Sequence, residues 1–121
     1  MKRILLVDDD RSVRSILGRM LEYAGYEVVH ASNGAEGIRS FRERSADLVL
    51  CDLYMEPKDG LEMIRELHRE FPVVPVVAMS GGDKRGNTDL LAVAKHLGAI
   101  AVLPKPFSQV DLLAAIEDGL D

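Results

Sequence analysis

Asp8, Asp9, Asp52, Ser80 and Lys105 are the residues of this chain best suited to phosphate or metal chemistry, and each sits at the end of an unbroken apolar run. Ile4 to Val7 runs into Asp8-Asp9, and Leu48 to Cys51 runs into Asp52. Val73 to Met79 runs into Ser80, and Ile100 to Pro104 into Lys105. Carboxylates brought close together repel, so one of them would keep its proton above the usual range unless a cation joined the group. Mg²⁺ suits that place: it takes carboxylate and carbonyl oxygens, keeps several waters, and completes its shell with phosphate oxygens. Asp8, Asp9 and Asp52 carry three negative charges, and Mg²⁺ with Lys105 carries three positive ones. Asp52 is then placed to attack phosphorus as a carboxylate nucleophile and become an acyl phosphate. Such transfers are catalysed mainly by positioning and by charge at the equatorial oxygens, for which Lys105 and the Ser80 hydroxyl are suitable donors. Gly81 and Gly82 leave backbone N–H groups accessible beside Ser80.

Each residue has an ordinary explanation when taken alone. An aspartate pair caps a helix and favours its dipole. Ser80 reads as a turn residue, and Lys105 between Pro104 and Pro106 as a solvated loop lysine. Only their joint position at the ends of four strands points to shared chemistry.

The elements that must bring them together follow from periodicity. Unbroken apolar runs are the mark of parallel strands covered on both faces, and ligands bind such sheets beyond the carboxyl ends of the strands. Between the runs, Val13, Ile16, Leu17, Met20 and Leu21 recur on one helix face, with Asp10 or Asp9 as N-cap and Gly25 as stop. Tyr26 to Ala31 reads as a second strand at a sheet edge, closed by Asn33-Gly34. Ala35, Ile38 and Phe41 mark a helix to about Arg44, and Asp47 to Cys51 is the third strand. After a loop from Leu53 to Gly60, Leu61, Ile64, Leu67 and Phe71 give a third helix that ends before Pro72. Val74 to Met79 is the fourth strand, and the glycine-bearing stretch from Ser80 to Asn87 reads as the most mobile segment. A fourth helix covers Thr88 to Leu97, capped by Asn87 or Thr88 and stopped by Gly98. Ile100 to Leu103 is the fifth strand, and a last helix runs from about Ser108 to Leu120. Strands alternating with helices imply right-handed crossovers and a doubly wound α/β sheet.

Bulk properties exclude several classes. A length of 121 residues with 47% apolar and 29% charged residues fits one soluble domain. The net charge of −5 argues against direct nucleic-acid binding and against an anionic membrane surface. One cysteine, Cys51, allows no internal disulfide and fits a buried strand position in a reducing cytoplasm. No apolar stretch approaches the roughly 20 residues of a membrane span, and Ile4 to Val7 is too short for a signal peptide.

In these residues the chain resembles the receiver domain of two-component response regulators. Val7-Asp8-Asp9-Asp10 is similar to the family's acidic pocket, and Asp47 to Met55, continuing to Asp59-Gly60, to its phosphoacceptor strand. Ala78-Met79-Ser80 is similar to the hydroxyl position and Lys105-Pro106-Phe107 to the lysine motif. The resemblance covers the whole chain, 1–121, as a single receiver domain. It implies a five-stranded, flavodoxin-like parallel sheet in the order 2-1-3-4-5. It also implies phosphorylation of Asp52 by a histidine kinase or a histidine phosphotransfer protein. Asp9, Asp52 and the Tyr54 backbone carbonyl would then bind Mg²⁺, with Asp8 acting mostly through water, while Ser80 and Lys105 hold the phosphoryl oxygens. The expected protein is a cytoplasmic, stand-alone phosphoacceptor and not an enzyme with a substrate of its own. Its output would be contact with a protein target or dimer partner through the face of the fourth helix, fifth strand and fifth helix.

Several features depart from the family pattern or stand outside it. Glu56-Pro57 places a proline one residue later than usual. Val102 replaces the aromatic residue that the family carries three positions before its lysine, so no ring is available to rotate. Ile100 to Leu103 would make that face unusually apolar, as a partner surface or as burial under helices. The loop from Ser80 to Asn87 is longer than typical, either a partner-reading lid or a plain loop. Tyr54, two residues past Asp52, would overhang the site and slow hydrolysis. His30, His68 and His96 lack metal-ligand spacing and read as surface or boundary residues.

Other readings of the same residues are a receiver excised from a larger hybrid kinase or regulator and a receiver-like adaptor that takes no phosphate. A Mg²⁺-dependent phosphohydrolase would usually place a second acid where Tyr54 stands. A flavin or nucleotide module would need a glycine-rich loop where Asp8 to Arg11 stands.

Overall fold

The computed structural model describes residues 1–53, 60–80 and 88–121, and for 88–91 the backbone alone. Five strands and five helices alternate. They are β1 (Arg3–Val7), α1 (Arg11–Tyr23), β2 (Glu27–Ala31), α2 (Gly34–Glu43) and β3 (Leu48–Asp52), then α3 (Gly60–Glu70), β4 (Val76–Ser80), α4 (Thr88–His96), β5 (Ala101–Pro104) and α5 (Gln109–Leu120). The strands form one parallel sheet in the order β2-β1-β3-β4-β5, so β2 is an edge as its mixed pattern indicated. The sheet is the doubly wound, flavodoxin-like arrangement expected from the resemblance.

Because side chains alternate across a strand, each apolar run feeds two cores. Ile4, Leu6, Leu48, Leu50, Val77 and Met79 pack with Leu17 and Leu21 of α1 and with Leu112 and Ile116 of α5. Leu5, Val7, Val49, Cys51, Val76 and Ala78 pack on the other face with Ile38 of α2, Met63, Ile64 and Leu67 of α3, and Ala94 of α4. Cys51 is fully buried among them. The fifth strand corrects one expectation. Ala101 and Leu103 pack against the α1–α5 core and Val102 against the opposite one, so Ile100 to Leu103 do not form one apolar face. The pleat divides them, and Ile100 alone of the four is substantially exposed, at 49%.

Helix ends follow local chemistry. Asp10, not Asp9, caps α1, accepting bonds from the backbone N–H groups of Ser12 at 2.9 Å and Val13 at 3.2 Å. Asn33 caps α2 and Ser108 caps α5 in the same way. Gly25 and Gly98, at φ +100° and +111°, take the left-handed conformation that lets the chain leave α1 and α4. On α3, His68 sits between two backbone carbonyls, 2.9 Å from that of Val74 and 3.2 Å from that of Leu97, a boundary position as expected. The Asn87 cap expected for α4 lies outside the described residues.

Candidate functional site

Strand register decides which side chains meet. Val7 pairs with Cys51, Asp52 with Met79, and Ser80 with Pro104. The next residue after Val7 is Asp8 and the next after Pro104 is Lys105, so all the chemistry-bearing residues reach one edge. One carboxylate oxygen each from Asp8, Asp9 and Asp52 falls within 4.8 Å of the others. Lys105 Nζ lies 3.2 Å from Asp52 Oδ2 and 3.5 Å from Asp8 Oδ2. Ser80 ends β4 and is buried, and the Lys105 backbone N–H donates to its carbonyl at 2.8 Å. The peptide bond from Lys105 to Pro106 is cis.

Asp8 has no solvent exposure, Asp52 is 6% exposed, and Asp9 is open to solvent. Burial pushes the Asp8 carboxyl above its usual range. The Asp10 backbone N–H, donating to Asp8 Oδ1 at 2.9 Å, works against that shift. The nearby charge of Asp52 reinforces the shift, and Lys105 opposes it. A buried pair of like charges with one ammonium between them is a site short of positive charge. All-oxygen donors at this spacing fit a hard divalent cation such as Mg²⁺ and offer no sulfur or imidazole to a softer one.

Gly60 starts α3 against the end of β3. A Cβ there would lie 2.7 Å from Leu53 Cα and closer still to the Asp52 carbonyl oxygen, so only glycine lets the helix approach the end of β3. The Gly60 N–H returns to the Leu53 carbonyl at 3.2 Å.

The whole-chain comparison agrees with this geometry. The model of the response regulator receiver domain matches residues 4–117. The chain belongs to the response regulator receiver family. It is 36% identical over 118 residues to the transcriptional regulatory protein GlrR of Escherichia coli K12, covering 98% of this chain and 26% of that one. It is 37% identical to the CpxR homolog of Haemophilus influenzae, covering 97% of this chain and 49% of that one. Across such relatives this receiver spans about a quarter to a half of their length. Among solved structures, a receiver domain protein from Clostridium thermocellum superposes with TM-score 0.92 at 32% identity, covering 99% and 94% of the two chains. The chemotaxis protein CheY4 of Vibrio cholerae superposes with TM-score 0.90 at 26% identity, covering 99% of each.

The receiver thus brings Asp8, Asp9, Asp52 and Lys105 together and places Ser80 at the same edge. Tyr54, the Glu56-Pro57 departure and the Gly81 to Asn87 loop lie outside the described residues. Two site features escaped the sequence. Arg14 reaches back from α1, and its Nη1 donates to the Asp8 carbonyl at 2.6 Å. A cavity of about 480 Å³ lies between α1 and the start of α5, walled by Val13, Ile16, Leu17, Met20 and Phe107, with Lys105 at its rim. Arginine in the first turns of a helix opposes the dipole, and that misplaced charge was the available signal for Arg14.

Proposed function

We propose that Asp52 accepts a phosphoryl group from the phosphohistidine of a histidine kinase or phosphotransfer protein, with Mg²⁺, and that the phosphorylated receiver signals through changed protein–protein contacts. The convergence of Asp8, Asp9 and Asp52 within 4.8 Å beside Lys105 carries this reading. Those three carboxylates, with the Tyr54 carbonyl, would hold the ion. When bound, Mg²⁺ supplies neutralisation of the carboxylates and a contact for phosphoryl oxygens. An Asp52 oxygen attacks phosphorus in line. The new O–P bond forms as the P–N bond to the donor breaks, and the imidazole leaves with the electron pair. Lys105 passes from the two carboxylates to a transferred oxygen, and the Ser80 hydroxyl donates to another. The apolar cavity beside Lys105 suits the donor's helix, because a donor seated there delivers its histidine next to Asp52.

The receiver is read as a phosphoacceptor and not as an enzyme that turns over a substrate, since Tyr54 stands where a hydrolase would place its leaving-group acid. Tyr54→Ala is expected to speed loss of the phosphoryl group. Output runs through the α4–β5–α5 side, where Val93, Ile100 and Val110 are exposed at 44%, 49% and 77%. A stand-alone, cytoplasmic role is read by analogy with the similar chemotaxis protein CheY4 of Vibrio cholerae. No described helix is long and apolar enough to cross a membrane. The contrary case is a receiver working within a longer regulator: the relative NtrC of Escherichia coli K12 is named a DNA-binding transcriptional regulator, and this chain covers 24% of it.

Intact mass after incubation with acetyl phosphate tests the proposal. One added phosphoryl group that requires both Mg²⁺ and Asp52 is expected. An unchanged mass would leave a phosphate-independent adaptor as the better reading, and a gain that persists in Asp52→Asn would put the phosphoryl group on another residue.

A further inference from the structure

A second cavity, of about 320 Å³, opens between α1 and β2 and has no part in the phosphoacceptor chemistry. Arg11, Arg14 and Arg19 line it, joined by Ser15 and His30, and a single carboxylate, Glu22, faces them. Three guanidiniums gathered on one side are out of keeping with a chain whose net charge is −5. Helix stability does not account for them. Arg11 is the first residue of α1 and Arg14 the fourth, where the positive end of the dipole disfavours cations, and the first turn holds no acidic residue. Among the described residues, Arg11 and Arg19 make no ion pair.

Local packing builds the cavity. A Cβ on Gly18 would lie 2.8 Å from His30 Cε1 and 3.1 Å from Nε2, so the glycine leaves room for the exposed imidazole to rest on the helix and form a wall. Arg14 is half-buried and held by its 2.6 Å bond to the Asp8 carbonyl. A guanidinium has five N–H donors, so most of those on Arg14 remain for a ligand. Held in place beforehand, it loses little side-chain freedom when something binds.

We propose that this cavity binds a small phosphate-bearing anion at a site separate from the Asp52 phosphoacceptor centre. Planar, forked guanidiniums match phosphate oxygens, and charge-assisted bonds of this kind are the strong ones. The volume suits a small molecule, and Glu22 at one side repels a run of carboxylates continuing past the arginines.

Pyrophosphate is the probe, titrated without Mg²⁺ so that no metal draws it to the carboxylates. Amide and arginine Nε–H shifts are followed by NMR in the wild-type chain and in the Arg11→Gln/Arg19→Gln double variant. Both arginines are exposed on α1, and neither contributes to the core or to the phosphoacceptor centre. The expected result is saturable shifts confined to residues 11–22 and His30, with affinity at least roughly tenfold lower in a still-folded double variant. Shifts that never saturate, that centre on Asp52 and Lys105, or that survive unchanged in the variant would overturn the proposal. So would binding of an oligoglutamate peptide without binding of pyrophosphate, which would make the cavity a contact for an acidic protein.

Discussion

The strand that ends in Asp52 and the strand that leads to Lys105 are built differently. β3 lies at the centre of the sheet, paired on both sides, and all five of its residues are buried. β5 is an edge strand: Ala101, Val102 and Leu103 are half-buried and Pro104 is exposed. Asp52 therefore projects from a fully buried central strand, while Lys105 follows a half-buried edge strand. The carboxylate ends a tightly packed strand, and the ammonium beside it follows a strand with more room to shift. On β5 no aromatic ring is available to move, since Val102 is the side chain that packs toward α3 and α4.

Core truncation gives the largest contrast. Leu50→Ala on β3 is expected to cost about 3–4 kcal/mol, and Leu103→Ala on β5 about 1 kcal/mol, read as midpoints of urea denaturation at constant slope. Equal costs would remove the asymmetry. Next comes Lys105→Met, which retains the apolar stem and deletes the charge. A charge-assisted bond contributes about 1.5–3 kcal/mol, so the rate of phosphorylation by acetyl phosphate should fall roughly 10- to 100-fold. The denaturation midpoint without Mg²⁺ should fall too, since the buried Asp8 and Asp52 carboxylates lose their ammonium.

A smaller effect is expected at Asp8. Its folded-state pKa is raised, chiefly by burial, so between the ordinary carboxylate value and the raised one the folded chain binds more protons than the unfolded chain. Stability therefore falls as pH rises through that window. Asp8→Asn removes the burden and should raise Tm without Mg²⁺ at pH 7 by about 3–6 °C. Mg²⁺ should then raise the Tm of the wild type and leave that of the variant nearly unchanged. A variant less stable than wild type at pH 7 would mean that Asp8 is a net structural asset. The smallest effect is expected on the far side of the molecule. Arg42 of α2 holds Glu70 of α3 through Nε, at 3.1 and 3.0 Å from its two oxygens, and also through Nη2. This pair is exposed, and Arg42→Gln should move Tm by less than about 2 °C.

The fold was largely legible because buried parallel strands are long enough, and the helices amphipathic enough, to announce themselves. The Asp8, Asp9, Asp52 and Lys105 cluster was legible because each residue ends such a strand. The division of Ile100 to Leu103 was not. A run that is apolar throughout carries no period, so it cannot say which residues turn to which face until α5 and α4 are in place. Arg14 and the α1–β2 cavity were hidden for another reason. They depend on a side chain reaching back to Asp8 and on His30 resting against Gly18, contacts between elements that no local pattern encodes.

The central claim is that Asp52 is the residue that carries the phosphoryl group. Borohydride reduction of the acetyl phosphate-treated protein converts an aspartyl phosphate to homoserine, and peptide mapping then locates it. Homoserine is expected at position 52 and nowhere else, formed only when Mg²⁺ was present. Homoserine at Asp8 or Asp9, or phosphate recovered on a histidine, would contradict it.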